Sequence, residues 1–216
     1  MILPTISNSR ELEIRTMSYK KHFTKVDPIL GAVARRVKLT PFDLQTNYFE
    51  ALVHAIANQQ LSGKAAQTIL NRMLALFKPG KFPRPQEYLK MSDAKLRSAG
   101  FSFSKIAYTK NVARFFIEQV KEIKKIHTLS DEAVIAMLTE IKGVGVWTAE
   151  MFLIFSLGRE DVFSYGDLGL RKGLQRIYNF KKEPTLKQMQ KIVENWKPYR
   201  TFGALYLWAS LELKEK

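Results

Sequence analysis

The chain contains no cysteine among its 216 residues. That absence excludes disulfides, thiol nucleophiles, cysteine-ligated iron–sulfur clusters and the usual structural zinc sites together. Histidine is scarce as well. Only His22, His54 and His127 could offer imidazole to a transition metal, and their scatter has no ligand spacing, so neither a catalytic zinc nor a required cofactor is expected. Acidic residues are outnumbered, 20 Asp+Glu against 35 Lys+Arg, for a formal charge of +15. Such a surplus is expected of a protein that binds a polyanion, with nucleic acid first among the partners. Long apolar runs are missing too. Residues 151–155 are among the longest and fall far short of the ~20 residues that cross a bilayer. The apolar start Met1 to Leu3 meets Pro4 without a secretory pattern, so an intracellular protein with no membrane partner is expected.

No alternating stretch has the length of a convincing strand, and there is no internal repeat. The 46% apolar content suffices for one large domain or two small ones sharing a core. Helix punctuation is present almost throughout. Asp27-Pro28 supplies a cap and a first-turn proline. Thr40-Pro41 opens a second segment whose Phe42, Phe49, Leu52, Val53 and Ile56 recur at helical spacing, with Asp43 in the first turn and an end near Asn58. Residues 63–77 read as a helix closed by the loop containing Pro79, Gly80, Pro83 and Pro85. Ser92-Asp93 caps a short helix ending at Gly100, and Ser104 opens a longer one reaching Ile123. Ser130 starts the next, which runs through Ile141 into Lys142-Gly143-Val144-Gly145, and residues 147–157 resume an apolar helix. Gly166, Gly169 and Gly173 loosen the following segment. Thr185 with Gln188 forms a capping box, and residues 203–213 read as a buried final helix.

The most specific local feature is Ile141-Lys142-Gly143-Val144-Gly145-Val146-Trp147-Thr148-Ala149: helix end, two-glycine turn, helix start. Glycines permit positive φ and close backbone approach. The amides opening the second helix then favour a phosphate, which in so basic a chain points to a DNA backbone. A purely structural helix–helix turn is the alternative. A dinucleotide fingerprint fits less well, because no strand precedes the turn and the third glycine of GxGxxG is absent. Downstream, Asp161-Val162-Phe163-Ser164-Tyr165-Gly166-Asp167-Leu168-Gly169-Leu170-Arg171-Lys172-Gly173 places one carboxylate, Asp167, among aromatic, apolar and basic neighbours. Asp167 can cap the helix beginning at Leu168. A helix N-terminus also holds a carboxylate ionised and oriented, so capping and catalysis can coexist there.

The pair KGVGVWTA and DVFSYGDLGLRKG resembles the helix-hairpin-helix glycosylase superfamily of base-excision repair, in particular its alkylated-base branch of DNA-3-methyladenine glycosylase II type. The block from Tyr48 to Ala66, Ala99-Gly100-Phe101-Ser102-Phe103-Ser104-Lys105, and Trp196-Lys197-Pro198-Tyr199-Arg200 with Trp208 are similar to further family blocks. They stand in family order from about residue 40 to the end. The resemblance implies an all-α fold of two helical lobes with a helix-hairpin-helix motif and an active-site cleft between the lobes. Residues 1–40 are expected as a helical segment packing on the second lobe, 41–130 as the first lobe with a wedge loop, and 131–216 as the lobe of hairpin and catalytic aspartate. The extra N-terminal β domain of larger members is not expected, since the sequence offers neither room nor pattern for it.

The implied activity is hydrolysis of the N-glycosidic bond of alkylated purines in double-stranded DNA. The nucleotide is flipped out of the stack and a wedge fills the gap, leaving an abasic site. The acidic residue of the family that stabilises the oxocarbenium sugar corresponds to Asp167. No general acid is obligatory, because an alkylated purine is already cationic. Members that also cut the backbone carry a lysine two residues after the second hairpin glycine. Trp147 stands there, which implies a monofunctional enzyme.

Trp208, Trp147 and Tyr165 correspond to the base pocket, with a core position as the alternative reading of the two tryptophans. The branch commonly has proline at Ser164 and a small apolar residue at Tyr165, so a more flexible loop and a narrower pocket are expected. The tyrosine of some members is Met151. Gln60, Leu61 and Ser62 match the wedge, with a buried leucine as the alternative for Leu61. Gly143, Gly145 and Thr148 match phosphate contacts. Main-chain carbonyls of Thr139, Ile141 and Gly143 match a monovalent cation site.

The implied partner is double-stranded DNA with alkylated bases, met by a monomer located with DNA in the bacterial cytoplasm or the eukaryotic nucleus. Two other readings share the charge and the hairpin: a damaged-DNA-binding protein without excision, and a helical scaffold in which Asp167 is only a surface cap.

Overall fold

A computed structural model describes residues 9–39, 43–61 and 63–213. Those residues form thirteen α-helices and contain no strand. In chain order they are α1 (Ser9–Val26), α2 (Pro28–Arg36), α3 (Tyr48–Asn58), α4 (Gly63–Leu74), α5 (Pro85–Lys90), α6 (Asp93–Ser98), α7 (Phe103–Glu118), α8 (Val120–Lys125), α9 (Asp131–Thr139), α10 (Val146–Phe155), α11 (Leu168–Ile177), α12 (Leu186–Val193) and α13 (Arg200–Leu211). None of the described helices is long and apolar enough to cross a membrane.

Side-chain caps set most of the starts. Asp27 accepts from the Leu30 amide at 3.1 Å with Pro28 in the first turn. Ser92, Ser130 and Thr185 each accept from the amide three residues on, and Gln188 completes the capping box at Thr185. Each satisfies an amide that the helix cannot pair internally.

Several starts differ from expectation. α3 begins at Tyr48, because Asn47 accepts from the Glu50 amide and residues 43–47 are not helical; Thr40, Pro41 and Phe42 lie outside the described residues. α7 is capped by Ser102, two residues ahead of Ser104, and a break at Gln119 separates it from α8. Pro85 opens α5 instead of extending a loop. Gly169 and Gly173 lie inside regular α11, where their missing side chains admit α13. A Cβ at Gly173 would stand 3.0 Å from Leu207 Cβ, and one at Gly169 would stand 3.0 Å from Trp208 Cδ1.

The chain divides into two units. One combines residues 1–44 with 157–216, and the other is residues 45–156. This boundary differs from the expected break at residue 130, since the hairpin joins residues 45–130. The cause lies in α10, whose Thr148, Ala149, Phe152, Leu153 and Ile154 are all buried. A helix apolar on every side needs cover on every side, and α3 and α9 pack against it.

In the first unit, Phe23, Leu30, Phe163, Leu170, Leu174, Trp196 and Leu207 share one core. Buried Asp27 binds its parts together: besides capping α2, it accepts from Trp196 Nε1 at 2.7 Å and from the Tyr178 hydroxyl. Burial and the adjacent carboxylate push the Tyr178 phenol well above its ordinary pKa. In the second unit α3 is central, with Phe49, Leu52, Val53 and Ile56 buried and α7 packed alongside. Tyr88, fully buried on α5, donates to Thr109 on α7 at 2.9 Å.

Candidate active site and DNA-contacting loops

Asp167 is both a cap and a held carboxylate. Its Oδ1 accepts from the Leu170 amide at 2.8 Å and from Trp208 Nε1 at 2.9 Å. The side chain is half-buried at the start of α11, where the two donors fix its direction.

The segment before it is tied down at every step. Asp161 forms an ion pair with Arg200, 2.7 Å from Nε and 3.1 Å from Nη2. Thr201 Oγ1 accepts from the Val162 amide at 3.0 Å. Ser164 is fully buried and its carbonyl accepts from the Asp167 amide at 3.1 Å. These bonds hold the segment in place where the branch commonly has a proline. Tyr165 is half-buried with its ring 5.0 Å from Phe163. Burial raises its phenol pKa, partly countered by Arg200. Trp208 is also half-buried, packed on the core of its unit with its N–H spent on Asp167.

In the other unit, α9 and α10 flank the turn. The Val144 amide donates to Ile141 O at 2.9 Å. Gly143 has φ +107°, and any Cβ there would overlap the ring of Tyr108, so both backbone shape and space demand glycine. Gly145 caps α10, is exposed, and has nothing within 4 Å of an added Cβ. Thr148 is 2% exposed. The phosphate contact expected of Thr148 is accordingly withdrawn, because its side chain faces into the unit and leaves Gly143, Gly145 and exposed Val146 at the surface. The carbonyls of Ile141 and Gly143 each already accept one hydrogen bond, from the Val144 amide and from Gln59 Nε2 at 3.2 Å. A carbonyl has two lone pairs, so one on each oxygen remains for a cation.

The end of α3 forms an exposed tip. Gln60 adopts φ +57° and Leu61 is 41% exposed, which removes the buried-leucine alternative. Ser62 lies outside the described residues. Behind the tip, Lys105 Nζ donates to Ala57 O at 2.8 Å and Gln59 O at 2.7 Å.

The same unit holds a cavity of about 390 Å³ lined by Trp147 and Met151 from α10, His54 and Asn58 from α3, and Gln45. Trp147 is half-buried at its wall. Burial lowers the His54 pKa against a smaller opposing effect of Glu50, so the imidazole is neutral near pH 7. Sequence reasoning assigned no role to His54, Asn58 or Lys105. The i, i+4 spacing of His54 and Asn58 was the available signal that they share a helix face.

The fold and this arrangement define a class. Residues 53–198 match the HhH-GPD superfamily of base excision DNA repair proteins, and the chain belongs to that family. Among its relatives, DNA-3-methyladenine glycosylase 1 of Schizosaccharomyces pombe is 40% identical over 77% of this chain and 74% of its own length. The structure is similar to that of the Schizosaccharomyces pombe 3-methyladenine DNA glycosylase Mag1 in complex with abasic DNA, with a TM-score of 0.84 and 35% identity over 92% of this chain and 100% of that one. A DNA-3-methyladenine glycosidase from Bacillus halodurans matches with a TM-score of 0.78 and 33% identity, covering 97% of this chain and 92% of that one.

Proposed function

We infer that the protein is a DNA glycosylase that removes alkylated purines, of the 3-methyladenine kind, from double-stranded DNA and leaves an abasic site. The observation that carries this reading is the Asp167 carboxylate, oriented by the Leu170 amide and the Trp208 indole. The cationic base departs with the electron pair of its bond to C1′ and becomes neutral. The sugar passes through an oxocarbenium-like state, water adds at C1′ and gives up a proton. A fixed anion facing the developing positive charge lowers that barrier without reorganising.

Trp208 and Tyr165 in the unit that carries Asp167, and Trp147 at the cavity of the other unit, each supply an aromatic face suited to a cationic base. Leu61 with Gln60 acts as the wedge, and Gly143 and Gly145 present main-chain amides to phosphate. A monovalent cation held by Thr139, Ile141 and Gly143 carbonyls would add positive charge beside that phosphate. Trp147 in place of a lysine supports hydrolysis without strand cleavage, since an indole cannot form a Schiff base. The protein acts as a monomer and resides where the DNA is.

The test is excision from duplexes carrying single 3-methyladenine, 7-methylguanine, ethenoadenine or hypoxanthine, repeated with borohydride. Release of alkylated bases with no trapped protein–DNA adduct is expected. Binding without release from any duplex, or a strong covalent adduct, contradicts the reading.

A further inference from the structure

One face of α7 holds both loops that the proposed function sets against DNA. Lys105, Tyr108 and Asn111 recur at intervals of three residues, so they form one row along the helix, about 9 Å from first to last. Lys105 Nζ bridges the carbonyls of Ala57 and Gln59 at 2.8 and 2.7 Å. Tyr108 lies beneath Gly143, in the space a Cβ would occupy. Asn111 Nδ2 donates to Lys142 O at 3.1 Å. A direct tie closes the arrangement, Gln59 Nε2 to Gly143 O at 3.2 Å.

We propose that Lys105 is a positioning residue for base flipping: through the Ala57 and Gln59 carbonyls it locks the tip carrying Leu61 in register with the Gly143 turn. The inference rests on the reading of Leu61 as a wedge.

The chemistry at each joint supports a lock. A helix end leaves its last carbonyls without internal partners, and a cation there is favoured by the helix dipole. Burial depresses the pKa of the Lys105 ammonium, a cost that two carbonyl acceptors offset. Immediately beyond, Gln60 adopts φ +57°, a conformation that a non-glycine side chain disfavours and that its surroundings must enforce. With Gln59 tied at its carbonyl to Lys105 and at its side chain to Gly143, the chain reaches Gln60 in one orientation. Leu61 is thereby presented at a set distance from the amides that grip phosphate. Wedge and grip then engage the duplex as one body, instead of each paying to be ordered on binding.

Lys105→Met removes the ammonium and keeps most of the stem. In single-turnover excision of 3-methyladenine from a normally paired duplex, a loss of about ten- to a hundredfold is expected, the scale of a small misplacement. The loss should shrink when the lesion stands opposite a mismatched base, which needs less unstacking. Lys105→Arg, which keeps the cation, should restore most of the rate. Adding Lys105→Met to Leu61→Ala should change little further. Equal losses in both pairing contexts, no loss, or no rescue by arginine would overturn the proposal. If Lys105→Met melts early, Gln59→Leu carries the test, since it removes the tie to Gly143 and should give the same pairing-dependent loss; a loss indifferent to pairing sinks the lock. Leu61→Ala alone separates the two ideas. If it slows excision from paired duplex while Lys105→Met does not, only the positioning role fails; if Leu61→Ala has no pairing-dependent defect, the wedge reading and the proposal both fall.

Discussion

Trp208 Nε1 donates to Asp167 Oδ1 at 2.9 Å across 41 residues of sequence. The same oxygen accepts from the Leu170 amide, so one carboxylate oxygen is fixed by an indole on α13 and by the first turn of α11. Gly169 makes the approach possible, since a Cβ there would crowd both Trp208 and Asp167 at 3.0 and 3.1 Å.

The first prediction removes only that N–H. Trp208→Phe keeps an aromatic ring and withdraws the donor. A hydrogen bond to a charged group contributes ~1.5–3 kcal/mol to stability, so the melting temperature should fall by roughly 3–10 °C, and a carboxylate left less well placed should slow single-turnover excision about ten- to a hundredfold. An unchanged rate would show that the indole does not orient the carboxylate.

The two hairpin glycines should fail in different ways. Gly143→Ala combines φ +107° with overlap on Tyr108. Backbone strain alone costs ~1–3 kcal/mol, which for a domain of this size lowers the melting temperature by roughly 3–10 °C. Gly145→Ala meets open space and should alter stability by less than ~0.5 kcal/mol, while weakening binding to duplex DNA. Thermal melts and equilibrium binding on both variants separate a fold requirement from a surface one. Equal melting temperatures for the pair would contradict the geometry described.

His54 predicts the sign of a pH effect. Burial lowers its pKa in the folded state below the ordinary value, so the unfolded chain binds more protons at mildly acid pH. Its contribution is complete above about pH 6.5 and is lost as pH falls toward the depressed folded value. Melting temperatures should drop on acidification from pH 7 to 5 less steeply for His54→Gln than for the wild type. A steeper drop in the variant would reverse the assignment.

What was legible in the sequence follows the range of the forces involved. Asp27, Ser92, Ser130 and Thr185 were readable as caps because a cap reaches only three residues along the chain. The segment around Asp167 and the hairpin were recognisable because their motifs are contiguous. α1 lies in the stretch expected as helical, but its bounds were not legible because SRELEIRTMSYKKHFTKV carries no clear apolar stripe, and α2 and the turn at Glu194–Trp196 pack against it. Gly169 and Gly173 suggested looseness, whereas their role is close helix contact, which depends on α13. The hairpin was assigned to the wrong unit because the pairing of α10 with α3 depends on which surface covers an all-round apolar helix. Lys105 with the end of α3 and Trp208 with Asp167 are side-chain meetings between distant segments, and no local pattern announces either.

The most direct measurement of the central claim is single-turnover excision by Asp167→Asn beside its affinity for duplex containing an abasic-site analogue. Asparagine keeps an oxygen to accept from the Leu170 amide and Trp208, so folding and binding should persist. The negative charge proposed to face the sugar is lost, and the rate should fall by at least about a hundredfold. Near-normal excision by that variant would contradict the account.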